Sequence, residues 1–198
     1  MDSQVGELTL ILSQMFGGKT SMIMHLLETL GYATRCLYIN HTKDTRSDGA
    51  FSTHNTTLNI ETLSSKLNAD MIKVSRLSQV SDEIVSKYQV VCIDESNFYP
   101  DLNEKVRYWV DYLCIEVYVA GLSGDFKREN FGEIHKLIPF ADKVVMLRDT
   151  LCAICSASGR RTVALFTKNM EDATGDQVQV GGAEKYIPVC RKCYLSNE

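Results

Sequence analysis

Ser13-Gln14-Met15-Phe16-Gly17-Gly18-Lys19-Thr20 separates an apolar run, Glu7 to Leu12, from an amphipathic one, Lys19 to Leu30. Seven of its eight positions satisfy the pattern G-x-x-x-x-G-K-[ST]. The physics behind that pattern is direct. Backbone N–H groups at a helix start favour an anion. Gly17 and Gly18 let the chain approach oxygen atoms closely. Lys19 is placed to reach β- and γ-phosphates, and Thr20 to hold Mg2+. Ser13 departs from the pattern, which has glycine there. It is expected to restrict the turn, at ~1 kcal/mol if the backbone needs a positive φ. A turn that merely opens a helix is the bland alternative, and the strand–loop–helix order favours the nucleotide loop.

Outward from the octet, Glu7–Leu12 predicts a buried strand. Lys19–Leu30 predicts a helix with Met22, Leu26, Leu27 and Leu30 on one face and Gly31 as its C-cap glycine. Arg35–Asn40 predicts a second strand, so the chain opens as a right-handed parallel βαβ unit. Residues 41–68 are polar and predict a long loop. The alternation then resumes. Strands are expected at Met71–Val74, Tyr88–Ile93 and Glu116–Leu122, and a last buried one at Lys143–Leu147. Helices are expected at Ser81–Lys87, with Ser81 as N-cap, at Leu102–Leu113 and over most of Phe131–Phe140. Beyond Leu147 the alternation stops, and paired cysteines flank short strand-like runs at 162–167, 177–180 and 186–189. The expected class is α/β: a phosphate-loop, parallel-sheet nucleotide-binding domain over residues 1–147 and a small second domain over 148–198.

The whole chain has 198 residues, 44% apolar, with 21 basic and 25 acidic side chains. A net charge of −4 excludes a binder that grips nucleic acid through a basic stripe. Three prolines argue against long Pro-rich linkers. Met1-Asp2-Ser3-Gln4 shows no basic, then apolar, export signal, and no run is long enough to span a membrane. A cytoplasmic, reducing location is expected, in which cysteines bind metal or pack.

Val90-Val91-Cys92-Ile93-Asp94-Glu95 is an apolar strand ending in two carboxylates. Asp94 fits the acid that holds Mg2+ through water. Glu95 then stands at the carboxyl edge of a parallel sheet, where ligands bind and a carboxylate can take a proton from an attacking hydroxyl.

The seven cysteines divide. Cys152-x-x-Cys155 and Cys190-x-x-Cys193 supply four thiolates for one structural Zn2+. A closed four-thiolate site leaves no open position, so it scaffolds rather than reacts. A redox CxxC would open a helix in a thioredoxin-like fold, which the chain does not predict. Cys36, Cys92 and Cys114 read as core.

In this order, the phosphate loop, the acidic strand end and the split cysteine pairs resemble the thymidine kinase family of the cellular and poxvirus type. More of the chain agrees. Lys43-Asp44-Thr45-Arg46 and Phe51-x-Thr53-His54 resemble its flexible loop. Asp94-Glu95-Ser96-Asn97-Phe98 is similar to D-E-[AG]-Q-F. Ala120 to Arg128, with Phe131-Gly132, resembles A-x-L-D-G-x-F-x-R…F-G, and Gly181 to Tyr186 resembles I-G-G-x-x-x-Y. The resemblance implies a RecA-like core, a zinc-stapled lasso domain and ATP-dependent 5′-phosphorylation of thymidine. It implies Glu95 as general base, with ATP held by residues 13–20, Asp44, Arg46, Asp94 and Asn97. It implies a nucleoside pocket lined by Met15, Phe98, Leu122, Phe126, Phe131 and Tyr186. The lasso strand Gln177-Val178-Gln179-Val180-Gly181 would read the base. It further implies a homotetramer and feedback inhibition by dTTP. Ser13-Gln14 stands in place of Gly-Pro, Asn97 of Gln and Ser123 of Asp. These departures leave a second class open, a nucleotide-binding sensor or partner module without turnover.

Overall fold

The computed structural model describes residues 5–44, 68–171 and 185–196. Its centre is a six-stranded parallel sheet. The strands are β1 (Glu7–Ser13), β2 (Cys36–His41), β3 (Ala69–Val74), β4 (Val90–Ile93), β5 (Glu116–Leu122) and β6 (Lys143–Met146), in the order β3-β2-β4-β5-β1-β6. Each neighbouring pair runs parallel. The α/β expectation holds. β1 and β2 are parallel as the opening βαβ pattern requires, yet β5 and β4 lie between them.

The strand sequences are continuously apolar because both faces are covered. Leu8, Leu10 and Leu12 of β1, Leu37 and Ile39 of β2, Val91 and Ile93 of β4, and Val117 and Val119 of β5 share one face. They pack with Val106 and Trp109 of the helix Leu102–Asp111. The alternate residues Ile11, Cys36, Tyr38, Val90, Cys92 and Ala120 face Ile23, Met24 and Leu27 of the helix α1 (Lys19–Leu30). Period-two alternation inside an unbroken apolar run thus sorts one strand between two cores.

Several local expectations are corrected. Gly31 closes α1 with φ −62, a right-handed residue, so no left-handed cap forms there. β6 is an edge strand beside β1 alone, with Val144 and Met146 more than two-fifths exposed, rather than a buried one. Residues 134–140 coil as a tight 3-10 segment that includes Pro139. Ser81 precedes the short helix Asp82–Val85 without a side-chain capping bond. Cys114 is half-buried at φ 56 in the turn before β5.

After β6 come the short helix Ala153–Ala157, β7 (Phe166–Asn169), β8 (Tyr186–Val189) and the short helix Arg191–Leu195. β7 and β8 pair antiparallel. No helix among the described residues is long and apolar enough to cross a membrane.

Candidate active site

The octet leaves β1 at Ser13 and enters α1 at Lys19. Ser13 is the last strand residue and is fully buried. The left-handed positions are Phe16 (φ 61) and Gly18 (φ 85), so Ser13 carries none of the expected backbone cost. Its hydroxyl instead donates to the Gln14 carbonyl (2.8 Å). It also fills the space a side chain on Gly17 would need, which is why glycine stands at 17. Lys19 Nζ reaches the Gln14 carbonyl (3.2 Å) and Ser13 Oγ (3.3 Å). Gln14 is 1% exposed, and its side-chain amide finds no hydrogen-bond partner among the described residues.

Asp94 follows the last residue of β4. Its Oδ2 accepts from the hydroxyls of Thr20 (2.7 Å) and Tyr38 (3.2 Å), and its Oδ1 from the Glu95 N–H (2.8 Å). Burial, with the charge of Asp94 beside it, pushes the Tyr38 phenol well up, so Tyr38 remains a donor. Glu95 is half-buried and left-handed, at φ 50 and ψ 35. That conformation costs a residue with a side chain about 1–2 kcal/mol, and such strain gathers at sites of chemistry.

Asn97 turns its amide onto the chain itself. Oδ1 accepts from the Leu122 N–H (2.6 Å), and Nδ2 donates to the Phe131 carbonyl (2.6 Å). The close approach leaves no room for a side chain at Gly132. Leu122 and Phe131 are thereby tied to the turn that carries Glu95. Phe98 meets Phe131 edge-on at 5.4 Å, and Phe126 lies 6.0 Å from Tyr186. Asp44 is buried and accepts from Asn40 Nδ2 at 3.1 Å, and Lys73 Nζ donates to its carbonyl. Arg46, the other residues of 45–67 and Gln177 to Gly181 lie outside the described residues.

Two residues the sequence did not single out belong beside the loop. Thr167 of β7 accepts the Met15 N–H (2.9 Å), and Thr150 donates to the Phe16 carbonyl (3.0 Å). Neither carries a local pattern that could have marked it.

Cys152, Cys155, Cys190 and Cys193 are buried together, their sulfurs all within 4.8 Å of one another. Cys155 Sγ lies 3.9 Å from Cys190 Sγ and 3.6 Å from Cys193 Sγ. Four thiolates around one Zn2+ stand about 3.8 Å apart, given Zn–S bonds of about 2.3 Å, so the donor set fits. Each pair does open a short helix, but the two close on one point instead of standing alone. Burial opposes charge on Cys152, yet the N–H groups of Cys155 and Cys190 outweigh it and hold that thiol down to about 7.

The comparisons with known proteins agree with one another. A family model described as thymidine kinase matches residues 6–194. The human cytosolic thymidine kinase is 36% identical over 192 residues, 96% of this chain and 74% of the human one. The thymidine kinase of Yaba monkey tumor virus is 34% identical over 98% of each chain. That of fowlpox virus is 33% identical over 97% of this chain and 98% of its own.

Proposed function

The chain belongs to the thymidine kinase family, and from that premise we propose that it transfers the γ-phosphoryl group of ATP to the 5′-hydroxyl of thymidine, or of deoxyuridine, in deoxynucleotide salvage. The observation that carries this reading is the meeting of Thr20 with Asp94, one residue before Glu95. Nucleotide loop, metal-holding acid and candidate base then share one end of the sheet, where parallel strands bind ligands.

In this mechanism residues 13–20 hold the ATP phosphates, and Lys19 swings from its loop carbonyl onto the β- and γ-oxygens. Thr20 and Asp94 would hold Mg2+, which when bound neutralises charge on those oxygens. Glu95 accepts the 5′-hydroxyl proton as that oxygen bonds to the γ-phosphorus. The bond from the γ-phosphorus to the bridging oxygen breaks, and ADP leaves with dTMP formed. Asp44 and Arg46 would belong to the loop at the transferred group, Arg46 countering its charge.

The nucleoside would lie against Met15, Phe98, Leu122, Phe126, Phe131 and Tyr186, with the backbone of 177–181 on the base. Asn97 serves by bracing two of those residues. Cys152, Cys155, Cys190 and Cys193 would hold a structural Zn2+ within a lasso domain over 148–198, beside the nucleotide-binding domain 1–147. A cytoplasmic homotetramer under dTTP feedback completes the proposal.

Transfer of labelled γ-phosphate from Mg-ATP to thymidine, deoxyuridine or neither tests it. Product on thymidine is expected. ATP binding with no transfer to either nucleoside would instead favour the non-catalytic nucleotide-binding module.

A further inference from the structure

Two hydroxyls from far along the chain close on adjacent residues of the nucleotide loop. Thr167 takes the Met15 N–H and Thr150 gives its hydrogen to the Phe16 carbonyl, across separations of 152 and 134 residues. Peptide planes explain what this does. The Met15 N–H belongs to the 14–15 peptide, whose carbonyl accepts from Ser13 Oγ, Lys19 Nζ and the Gly17 N–H. The Phe16 carbonyl belongs to the 16–17 peptide, whose N–H is the one given to Gln14 (3.2 Å). Both planes are therefore gripped at each end. The span between them contains Phe16 at φ 61, a conformation that a residue with a side chain keeps only where its surroundings fix it.

Thr150 is itself held. Its carbonyl accepts the Ala164 N–H (2.8 Å), Leu151 bridges Val163, and the Cys152 N–H donates to Thr162 (2.7 Å). The ladder ends in the buried four-thiol cluster.

We propose that Thr150 is a positioning residue for the nucleotide loop: its hydroxyl fixes the 16–17 peptide in the shape that receives the ATP phosphates. The inference rests on the reading of residues 13–20 as the ATP loop. Thr150→Val keeps the side-chain shape and deletes the hydroxyl, and Thr150→Ser restores it. In calorimetry, loss of one neutral hydrogen bond predicts about 5-fold weaker Mg-ATP binding for Thr150→Val, with Thr150→Ser at wild-type affinity. Thymidine KM is expected to stay unchanged. In nucleotide-free protein, amide exchange at Met15 and Gly17 is expected to quicken in Thr150→Val, with Tm lowered by only the few degrees that one lost hydrogen bond costs. Thr150→Ala gives the same result where Thr150→Val does not fold. Wild-type affinity and exchange in Thr150→Val, or a Thr150→Ser as impaired as Thr150→Val, overturns the proposal. Wild-type protein that binds no Mg-ATP overturns the ATP reading, and the exchange comparison still decides whether Thr150 holds the loop.

Discussion

Thr20 donates its hydroxyl to Oδ2 of Asp94 across 2.7 Å, joining the loop after β1 to the loop after β4 although β5 lies between those strands. Seventy-four residues separate the two in sequence. Asp94 directly follows its strand and Thr20 lies in the first turn of the helix after β1, so the parallel sheet brings them together at its carboxyl edge. The bond orients both oxygens a divalent ion would use. Tyr38 donates to the same oxygen from β2.

Thr20→Val removes that hydroxyl without changing the side chain's shape. A hydrogen bond to a charged group contributes about 1.5–3 kcal/mol, which corresponds to roughly 10- to 100-fold in an equilibrium constant. The Mg2+ concentration for half-maximal activity is expected to rise by that factor, with Thr20→Ser close to wild type. A magnesium titration at saturating ATP measures it. Equal titrations for wild type and Thr20→Val would remove Thr20 from the metal site.

The four-cysteine cluster predicts one zinc per chain in protein purified without chelator. Roughly 50 residues bury too little apolar surface to fold without a staple. Chelation is therefore expected to unfold the region around β7 and β8 first, while the parallel sheet keeps its circular dichroism. Elemental analysis settles the stoichiometry, and fresh protein without zinc would sink the assignment.

His41 gives a pH dependence. Its Nδ1 accepts the Lys43 N–H (3.0 Å), so Nε2 carries the hydrogen and donates to the Ser75 carbonyl (3.2 Å). The ring is buried against Phe98 and Tyr99. Burial lowers its pKa below the usual 6.5; the Ser75 carbonyl opposes this, and the Lys43 charge adds to it. Above about 6.5 both folded and unfolded chains hold a neutral imidazole, and His41 contributes no slope. As pH falls below that value the unfolded chain takes the proton first. Stability is then lost until the folded-state pKa is passed, and no more is lost below it. Urea midpoints between pH 7.5 and 5 should fall less steeply for His41→Gln than for wild type. Identical slopes would contradict this role.

Much of the fold was legible because continuous apolar strands and one amphipathic helix leave few arrangements. Leu8–Leu12 is buried on both faces, and Val117, Val119, Ala120 and Gly121 of β5 are buried too, as their apolar sequences say. Lys143–Met146 has the same composition but lies at the edge, because apolarity alone does not count a strand's neighbours. The candidate site was legible where a motif is local: residues 13–20, Asp94-Glu95 and the cysteine pairs. Asn97, Thr150 and Thr167 work through the backbone of distant residues, and nothing in their own surroundings in sequence marks that. Ser13 misled in the other direction. Its departure from glycine suggested strain, whereas the left-handed residues are Phe16 and Gly18, three and five positions on.

Transfer from Mg-ATP to thymidine by Glu95→Gln is the most direct test of the account. The substitution keeps the side chain's size and removes its capacity to take the proton. A single-turnover rate about 10²- to 10⁴-fold below wild type, with ATP binding intact, is the predicted result. A rate near wild type would contradict the assignment of Glu95 as the base.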